Sequence, residues 1–378
     1  RDSWASRGLG DVYKRQVLTV EVDANTLTDK SQNKNILTKF DSKIEVDNTA
    51  PTIAASDITY GDTLQITLSD SSSLVNKWAI TSSNVLPTTG WNEITQTQKQ
   101  TVTKTGLTVG TYYIWAKDSV ENVSSKSIKV TGKSIDNSSI SVALNPTTYT
   151  YDGTEKKPGV TVKDGTNTLT VGTDYSFVYS NNINAGTGKV TITGKGNYTG
   201  TKIVNFTINK RAITVKAADG TKTYDGAALT NAAATLTEGT LVSGQSLTAT
   251  ATGSITNVGS TANTVSSAVV KSGTTDVSGN YTITKTNGTL TVNKRTLTVK
   301  AEAKSKTYGA GDPELTYTCS NQVSEQTPKF SGTLSRDAGE NVGTYEIKQN
   351  TLALADNSPF LANNYTIAYI GANLTINR

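Results

Sequence analysis

The chain has 378 residues, with 36 Lys and Arg against 31 Asp and Glu, no His and a single Cys. Without His, the commonest general base and transition-metal ligand are missing, and one Cys cannot form an intrachain disulfide or a thiolate zinc site. The basic residues are scattered and no run of 18 apolar residues occurs, so the sequence predicts neither nucleic-acid binding nor a membrane span.

Residues 1–16 differ in composition from everything that follows them. The block Gly10-Asp11-Val12-Tyr13-Lys14-Arg15-Gln16 resembles the translated read-through of a sequencing-library adapter, which implies that the segment is not native. A native basic arm is the alternative interpretation. We therefore leave residues 1–16 out of the predictions of fold and function.

Residues 17–48 predict a strand, a polar turn and a second strand, with alternation over Val17–Val22 and Ser42–Val46. Two or three strands cannot bury a core of their own. We therefore interpret this stretch as the C-terminal part of a truncated domain. Pro51 lacks the N–H that a central strand needs, so it is expected to interrupt the strand pairing and to start a new strand, which makes it a domain boundary.

Residues 49–132 predict one complete β domain. Trp78 and Trp115 lie mid-strand and are expected to fill the core between two sheets, whereas Trp91 lies in a turn-rich stretch. The alternation of apolar and polar residues predicts five strands, which are Leu64–Leu68, Lys77–Thr81, Gln100–Lys104, Thr111–Lys117 and Ser127–Thr131.

Two stretches around this domain carry a family resemblance. Gly110–Asp118 followed by Glu121-Asn122-Val123-Ser124, together with Asp47–Ile53, resembles the bacterial immunoglobulin-like domains of surface proteins. Those domains usually have Asp-x-x-Gly-Asn at this turn, and Glu121 here replaces the Gly. The resemblance implies an immunoglobulin-like domain over 49–132, and it makes residues 17–48 the C-terminal part of a truncated one.

An internal repeat organises the rest of the chain. Asn-Lys-Arg followed by an alternating run starts at Asn209 and again 84 residues later at Asn293, and Asn377-Arg378 repeats its beginning after a further 84. A period of this length indicates whole small domains in tandem. The predicted domains are 133–210, 211–294 and 295–378, the first being a shorter variant, with almost no linker between them.

Each of these three domains contains the same three motifs. A corner begins with Tyr, an Asn-x-Gly turn follows, and an Asn-Tyr-Thr triplet precedes the final strand. Glycine in the corners permits a positive φ, and each corner Tyr is expected to bury its ring and bond its hydroxyl to nearby backbone. We interpret the motifs as structural. They start at Tyr151, Tyr224 and Tyr308, at Asn184, Asn257 and Asn341, and at Asn197, Asn280 and Asn364.

The last domain has the most specific resemblance. Tyr308–Tyr317 with Gly332–Tyr345 closely resembles the MBG domain of the YGX type, a family with a mucin-binding-related name that repeats in bacterial surface proteins. Residues 211–294, with Tyr224-Asp225-Gly226, resemble the sister YDG domain, and 133–210 resemble the same group less specifically. The resemblance implies an extracellular setting at the bacterial surface, and host glycan, mucin or extracellular matrix as candidate partners.

No group of residues in the sequence predicts catalysis, a cofactor or a metal site. The carboxylate pairs Asp312/Glu314 and Asp337/Glu340 fall in predicted loops and are expected to be solvated, and no Asp-x-Asp-x-Asp-Gly calcium loop occurs. Without His or a Gly-x-Ser-x-Gly turn, no Ser or Thr has a familiar activating group. Cys319 is expected to be a small buried apolar residue. We therefore expect a protein that is not an enzyme.

Two further sets of residues have both a structural and a functional interpretation. Asn-x-Ser/Thr triplets would accept glycans in a eukaryotic secretory protein, but turn chemistry explains them in a bacterial chain this rich in Asn and Thr. Exposed Tyr rings could stack on sugars, whereas most strand Tyr are half-buried packing residues. The Tyr candidates are Tyr112, Tyr113, Tyr175, Tyr179, Tyr317 and Tyr369.

These features together predict an all-β chain of tandem small β-sandwich-like domains, immunoglobulin-like and MBG-like, in an elongated array. Short junctions limit bending, so we expect a monomeric rod with a radius of gyration of roughly 35 Å, against roughly 21 Å for one compact globule. The predicted function is a non-catalytic stalk of a secreted bacterial cell-surface protein that projects a distal functional domain. We expect the signal and wall anchor to lie outside this fragment. The alternative function is an adhesin that binds mucin or another host glycan.

Overall fold

The computed structural model describes residues 47–378 and, before them, four strand segments. The chain forms two compact units. Unit 1 consists of Arg1–Thr147, Lys157–Ser180 and Gly188–Phe206, and unit 2 of Thr148–Lys156, Asn181–Thr187 and Thr207–Arg378. The predicted domain 133–210 is thus divided between the units, while 49–132 lies in unit 1 and 211–378 in unit 2.

The four early strands are β1 (Arg15–Leu18), β2 (Glu21–Val22), β3 (Thr38–Lys39) and β4 (Ile44–Asp47). β1 pairs antiparallel with β4, and β2 pairs antiparallel with β3. Strand formation is therefore confirmed in both of the stretches where we predicted it, while the turn predicted between them lies outside the described residues. β1 includes Arg15 and Gln16 of the segment that we left out, and the adapter origin of that segment stays a prediction.

From residue 52 onward, each strand pairs within its own stretch of chain: 52–131, 133–209, 211–293 or 295–377. We call these stretches modules 1, 2, 3 and 4. Strands dominate all four modules, and two single-turn 3₁₀ helices are the helical elements of the described residues. No helix in this part of the chain is long and apolar enough to cross a membrane. The prediction of an all-β fold made of small sheets is confirmed.

Module 1 forms two sheets and contains all five predicted strands. Its strands are β5 (Thr52–Ala54), β6 (Ile58–Thr59), β7 (Leu64–Ser69), β8 (Val75–Thr81), β9 (Asn92–Thr97), β10 (Lys99–Lys104), β11 (Gly110–Asp118) and β12 (Val123–Thr131). The sheet orders are β10–β7–β5 and β6–β12–β11–β8–β9. The strand predicted to start at Pro51 is β5. The prediction missed β6, which is too short to show a period, and β9, which has no buried residue.

The core of module 1 lies between these two sheets. Leu64, Ile66 and Leu68 of β7 are fully buried and share one apolar cluster with Ile114 of β11 and Trp78 of β8. Trp78 therefore lies in the core, as predicted.

The prediction for Trp115 was wrong. Its neighbours Ile114 and Ala116 belong to the core cluster, and successive side chains of a strand point to opposite faces. Trp115 is therefore buried on the outer face of its sheet, where its Nε1–H donates to Thr81 Oγ1 at 3.0 Å.

Module 2 contains β13 (Lys133–Ser134), β14 (Ile140–Asn145), β15 (Thr148–Thr150), β16 (Gly159–Asp164), β17 (Asn167–Thr168), β18 (Tyr175–Ser180), β19 (Gly186–Gly194), β20 (Tyr198–Thr199) and β21 (Thr201–Asn209). In unit 1, β14, β16 and β17 form an antiparallel sheet, β18 pairs antiparallel with β19, and β13 pairs parallel with β20. In unit 2, β15 runs parallel to the last residues of β21.

Module 3 contains β22 (Arg211–Ala217), β23 (Gly220–Thr223), β24 (Ala234–Gly239), β25 (Gln245–Thr252), β26 (Gly259–Ser272), β27 (Thr275–Asp276), β28 (Tyr281–Thr286) and β29 (Gly288–Asn293), with a 3₁₀ helix at Ser278–Asn280. Its sheets have the orders β24–β22–β28 and β23–β29–β26–β25, with β27 paired to β26.

Module 4 contains β30 (Arg295–Ala301), β31 (Lys304–Thr307), β32 (Tyr317–Ser320), β33 (Lys329–Ser331), β34 (Ser335–Arg336), β35 (Gly343–Lys348), β36 (Ala353–Ala355), β37 (Tyr365–Ile370) and β38 (Ala372–Asn377), with a 3₁₀ helix at Ala362–Asn364. Its sheets are β32–β30–β37, β31–β38–β35–β34 and β33–β36.

Modules 3 and 4 have two sheets with equivalent strand orders, which accounts for the 84-residue repeat, and module 4 has the additional pair β33–β36. The first strand of each lies between two others and runs parallel to the strand after the 3₁₀ helix, with Arg211 opposite Tyr281 and Arg295 opposite Tyr365. The alternating run after each Arg buries every second side chain, so the strand presents one apolar face to the core. What repeats in the sequence is therefore a strand order together with its register.

Candidate functional site

The corner tyrosines share one backbone hydrogen bond to the final strand of their module. The N–H of each donates at 2.9 Å to the carbonyl of the residue that ends its module's last strand, which joins Tyr151 to Asn209, Tyr224 to Asn293 and Tyr308 to Asn377. Tyr60 of module 1 bonds to Thr131 in the same way, and we did not predict it as a corner. The positive φ predicted for the corner glycines is confirmed, at 80° for Gly153 and 83° for Gly226.

Tyr224 of module 3 packs against Tyr365, the Tyr of the Asn-Tyr-Thr triplet in module 4. The ring centroids are 5.4 Å apart with an interplanar angle of 82°, the edge-to-face geometry that aromatic pairs prefer. The two rings are 3% and 2% exposed. One apolar cluster contains both rings with Val292 of module 3 and Leu297 of module 4, so it continues across the boundary between the modules.

Gln326 connects the hydroxyls of these two tyrosines. Its Nε2 donates to the Tyr224 hydroxyl at 2.9 Å, and the Tyr365 hydroxyl donates to its Oε1 at 2.6 Å. The N–H of Val323 donates to the Tyr365 hydroxyl at 3.2 Å. Both phenolic groups of the buried pair are therefore satisfied.

Asn364 makes a second contact between modules 3 and 4. It ends the 3₁₀ helix before β37 and is 1% exposed. Its Oδ1 accepts the N–H of Val258 at 2.9 Å, and its Nδ2 donates to Asn257 Oδ1 at 3.0 Å. Both partners belong to the Asn-x-Gly turn of module 3. We call the combined contacts of the triplet Asn, the two Tyr and the Gln a junction.

The same junction recurs between the corner of module 2 and module 3, all within unit 2. Tyr151 and Tyr281 are edge-to-face at 5.7 Å and 77°. Gln245 donates to the Tyr151 hydroxyl at 2.8 Å and accepts from Tyr281 at 2.6 Å. Asn280 accepts the Ala185 N–H at 2.8 Å and donates to Asn184, the first residue of the turn, at 3.1 Å.

A variant of the junction joins modules 1 and 2 within unit 1. Tyr60 and Tyr198 are edge-to-face at 5.5 Å, and Asn197 Oδ1 accepts the Val109 N–H at 2.9 Å. A carboxylate replaces the Gln: Tyr198 donates to Asp164 Oδ2 at 3.3 Å. Burial, followed by the charge of Asp164, raises the pKa of Tyr198. Burial opposes ionisation of Asp164, but hydrogen bonds from Lys133 and Ser139 outweigh it and lower its pKa.

The structure corrects our interpretation of the corner motif. Tyr151 and Tyr224 bury their rings as predicted, but the hydroxyl partner is a Gln of the following module, not nearby backbone. The prediction was wrong for Tyr308, whose ring is 62% exposed. The sequence does contain a signal for the Gln that we missed. Val-Ser-x-Gln occurs in both modules 3 and 4, at 242–245 and 323–326.

The corner glycines have a second role that the sequence did not reveal. A β-carbon on Gly226 would lie 2.9 Å from Cγ1 of Val323, and one on Gly153 would lie 2.8 Å from Cγ1 of Val242. Each Val opens a Val-Ser-x-Gln segment of the following module. At these two corners, glycine therefore provides both the positive φ and the room for the close approach of two modules.

A network of four charged side chains lies beside the exposed corner of module 4. Lys306 Nζ contacts Asp312 at 2.6 Å and Glu340 at 2.7 Å, and its side chain is 4% exposed. Arg336 bonds to the same two carboxylates. Hydrogen bonds from Arg336 and Lys306 lower the pKa of Asp312 to about 2, and those from Lys306 and Arg336 lower the pKa of Glu340. The side chains of Asp312 and Glu340 are 43% and 67% exposed, in line with the expected solvation, but their ion pairs were not predicted.

The other side chains singled out in the sequence have packing roles. None of the six candidate sugar-stacking tyrosines is fully exposed, and Tyr175 is buried. Tyr179 and Tyr369 donate their hydroxyls to backbone carbonyls at 2.6 and 2.9 Å. Cys319 is half-buried, and burial raises the pKa of its thiol, which disfavours the reactive thiolate.

One group of three carboxylates comes together in the described part of the chain, and the sequence analysis did not predict it. Single oxygens of Asp47, Asp70 and Asp118 lie within 4.8 Å of one another. Asp118 is fully buried and Asp70 is 7% exposed. The three residues end β4, follow β7 and end β11, respectively, so they meet at one end of module 1.

Some of the oxygens of these three carboxylates accept hydrogen bonds, and one oxygen of Asp70 does not. Asp118 Oδ1 accepts the N–H groups of Val120 and Asn122 at 2.9 and 2.8 Å, and Asp70 Oδ1 accepts two backbone N–H groups. Asp70 Oδ2 is buried without a hydrogen-bond partner. An ionised oxygen buried in this way is costly unless it is compensated, and carboxylate oxygens are the ligands that Ca²⁺ prefers. These three residues are the set that could hold a cation.

Comparison with known proteins identifies one family. Residues 297–375 match the family described as MBG domain (YGX type), which confirms the resemblance predicted for the last domain. No curated protein matches the chain. The immunoglobulin-like and YDG-type assignments of the other domains stay predictions.

Three solved structures with some likeness to this chain have low TM-scores. The Protocadherin GammaB4 extracellular domain is 10% identical, with 97% of this chain and 77% of that chain covered and a TM-score of 0.21. Fibronectin(III)-like modules of Clostridium thermocellum CbhA are 14% identical over 42% and 93%, with a TM-score of 0.16. Bacteroides ovatus SGBP-B in complex with a mixed-linkage heptasaccharide is 16% identical over 65% and 71%, with a TM-score of 0.17. At these values the likenesses carry no argument about function.

We expect Asn364→Ala to loosen the junction between modules 3 and 4. The substitution leaves the part-buried N–H of Val258 without its acceptor, which costs about 1 kcal/mol. Hydrogen exchange of the Val258 amide should therefore become several-fold faster. Asn363→Ala, an exposed residue of the same 3₁₀ helix, is the matched control and should leave that rate unchanged. Equal rates in both variants would contradict the role given to Asn364.

We expect the thermal midpoint of module 4 to fall as the pH is lowered from 5 towards about 2. The pKa of Asp312 is lowered to about 2 and that of Glu340 is also lowered, so their stabilisation is complete above their ordinary pKa values and is lost as pH falls through the folded ones. Calorimetry of Asp312→Asn should show that its thermal midpoint depends less steeply on pH than that of the native chain. Glu314→Gln, an exposed carboxylate of the same loop, should retain the native slope. Parallel slopes in the native chain and Asp312→Asn would count against the network.

We expect Ca²⁺ to raise the thermal midpoint of module 1 by several degrees relative to chelator, because a ligand that binds the folded state stabilises it. Asp70→Asn should abolish the response. Glu93→Gln, whose side chain is 73% exposed in the same module, should keep it. A midpoint that does not respond in the native chain would leave the three carboxylates as turn-forming residues, and the expectation of no metal site would stand.

Proposed function

We propose that this chain is a non-catalytic spacer region of a secreted bacterial cell-surface protein, which projects a distal functional domain away from the cell wall. The MBG domain at residues 297–375 and the tandem small β modules fit a repeat protein of the cell surface. The finer parts of the proposal, namely the spacer role, secretion and attachment to a bacterial wall, go beyond that match. The junctions support the spacer role, and the sequence resemblance to domains of bacterial surface proteins is the ground for the other two.

The observation that carries the proposal is the recurrence of one junction. A spacer must fix the position of each module relative to the one before it, and a flexible linker would not do this. Within unit 2, consecutive modules are connected by a single residue, Lys210 or Lys294. At both steps a buried Asn, a Tyr pair and a bridging Gln hold the modules together.

The residues that recur between modules also favour a spacer over the alternative adhesin. Asn280 and Asn364 are buried, and each uses both ends of its carboxamide within the protein. They are therefore closed to glycosylation and to a ligand. Because the six tyrosines considered for sugar stacking are at least half-buried, we propose none of them as a sugar-binding residue.

We propose a monomer in which 49–132, 133–210, 211–294 and 295–378 are separate domains, with a truncated immunoglobulin-like domain before them.

Small-angle X-ray scattering tests the proposed spacer role. We expect a radius of gyration of roughly 35 Å for the chain, whereas roughly 21 Å is expected of a compact globule of this length. The double variant Asn280→Ala/Asn364→Ala should broaden the distribution of interatomic distances, while Asn363→Ala should not. A value near 21 Å for the native chain would contradict the proposal. Retention of the chain on a mucin-type glycan array would favour the adhesin instead.

A further inference from the structure

One corner of the chain keeps the tyrosine backbone bond of a junction without the second half. Its positive-φ glycine, Gly309 (82°), directly follows the Tyr, whereas Gly153 and Gly226 lie two residues after theirs. The Tyr308 N–H is bonded to Asn377 as the Tyr151 and Tyr224 N–H groups are bonded to Asn209 and Asn293. Those two rings are each 3% exposed because a Tyr of the following module covers them, whereas Tyr308 is 62% exposed. It is the most exposed large apolar side chain of unit 2.

The Asn-x-Gly turn of module 4 is open in the same way. In modules 2 and 3, the amide of the middle residue, Ala185 or Val258, donates to the triplet Asn of the next module. The equivalent residue of module 4 is Val342, which is 50% exposed. None of the described residues accepts a hydrogen bond from its N–H. The turn therefore offers a donor, and Asn341 offers a side-chain carboxamide, to an incoming group.

The charged network holds these two open elements in place. Asp312 belongs to the Tyr308 corner, and Glu340 directly precedes Asn341. Lys306 and Arg336 each bond to both carboxylates, so four ion pairs connect the corner to the turn. A surface that is ordered before binding loses less conformational entropy when a partner docks.

We infer that Tyr308 and Asn341–Gly343 form a docking surface for a further module of the same type, joined directly after Arg378. The triplet Asn of that module accepts the Val342 N–H and donates to Asn341. Its Tyr covers Tyr308 edge-to-face, and a Gln bridges the two phenolic hydroxyls. Arg378 has the repeat position of Lys210 and Lys294, the single residues that connect consecutive modules within unit 2.

A second copy of this protein is disfavoured as the partner, because the side chains that would bind are already bonded within each chain. The matching side chains, Asn197, Asn280 and Asn364, are already bonded at the three junctions of the same molecule. A copy of the chain would have to break one junction to form another, with no net gain. The occupant must therefore be a module whose Asn-Tyr pair is free.

The test is an extended chain in which a second copy of residues 295–378 follows Arg378. We expect the Val342 amide to exchange at least about tenfold more slowly than in the native chain, because it gains an acceptor in a buried contact. Nitration of Tyr308 should fall to the level of Tyr224. Asn364→Ala placed only in the added copy should return the Val342 rate towards the native value, while Asn363→Ala in that copy should not.

Protection of the strands in the added copy shows whether it has folded. If that copy is folded and both the Val342 exchange and the Tyr308 nitration are unchanged, the inference is overturned. Glycan binding at Tyr308, lost in Tyr308→Ala and unaffected by the added module, would also overturn it. This outcome is independent of the spacer proposal, which depends on scattering from the native chain.

Discussion

A buried carboxamide that finds its partners in the neighbouring module is the constraint on which unit 2 depends. Asn280 and Asn364 are almost fully buried, and each would leave a donor and an acceptor unsatisfied if the neighbour moved away. The penalty for separation is therefore local, directional and repeated at each step. The Tyr pair and the bridging Gln add an aromatic contact and two hydrogen bonds to the same place.

This constraint explains why small modules occur together in one chain. A domain of about 80 residues buries a modest fraction of its surface and is only marginally stable by itself. The apolar cluster around Tyr224 and Tyr365 crosses the boundary between modules 3 and 4, so part of each module's core is completed by its neighbour. The glycine of the corner is part of the same arrangement, because its missing β-carbon lets a Val of the next module approach.

Much of the fold could be predicted from local sequence, and most of the site could not. The alternation of apolar and polar residues identified β7, β8, β10, β11 and β12, and the sequence repeat located the equivalent first strands of modules 3 and 4. Both signals come from residues that are close in sequence. The junction escaped prediction because its partners are far apart, as with Tyr224 and Gln326, which are 102 residues apart. The three-carboxylate group escaped for the same reason. Trp115 was misplaced because mid-strand position does not say which face of the sheet is the core.

The most direct test of the junction is a double-mutant cycle between Tyr224→Phe in module 3 and Gln326→Leu in module 4. The quantity to measure is the free energy of local opening at the Val258 amide, obtained by hydrogen exchange in the native chain, both single variants and the double variant. We predict a coupling energy of about 1 kcal/mol, the value of one buried hydrogen bond across the boundary. A coupling energy indistinguishable from zero would mean that the hydrogen bond between Tyr224 and Gln326 does not stabilise the junction, and would contradict the account.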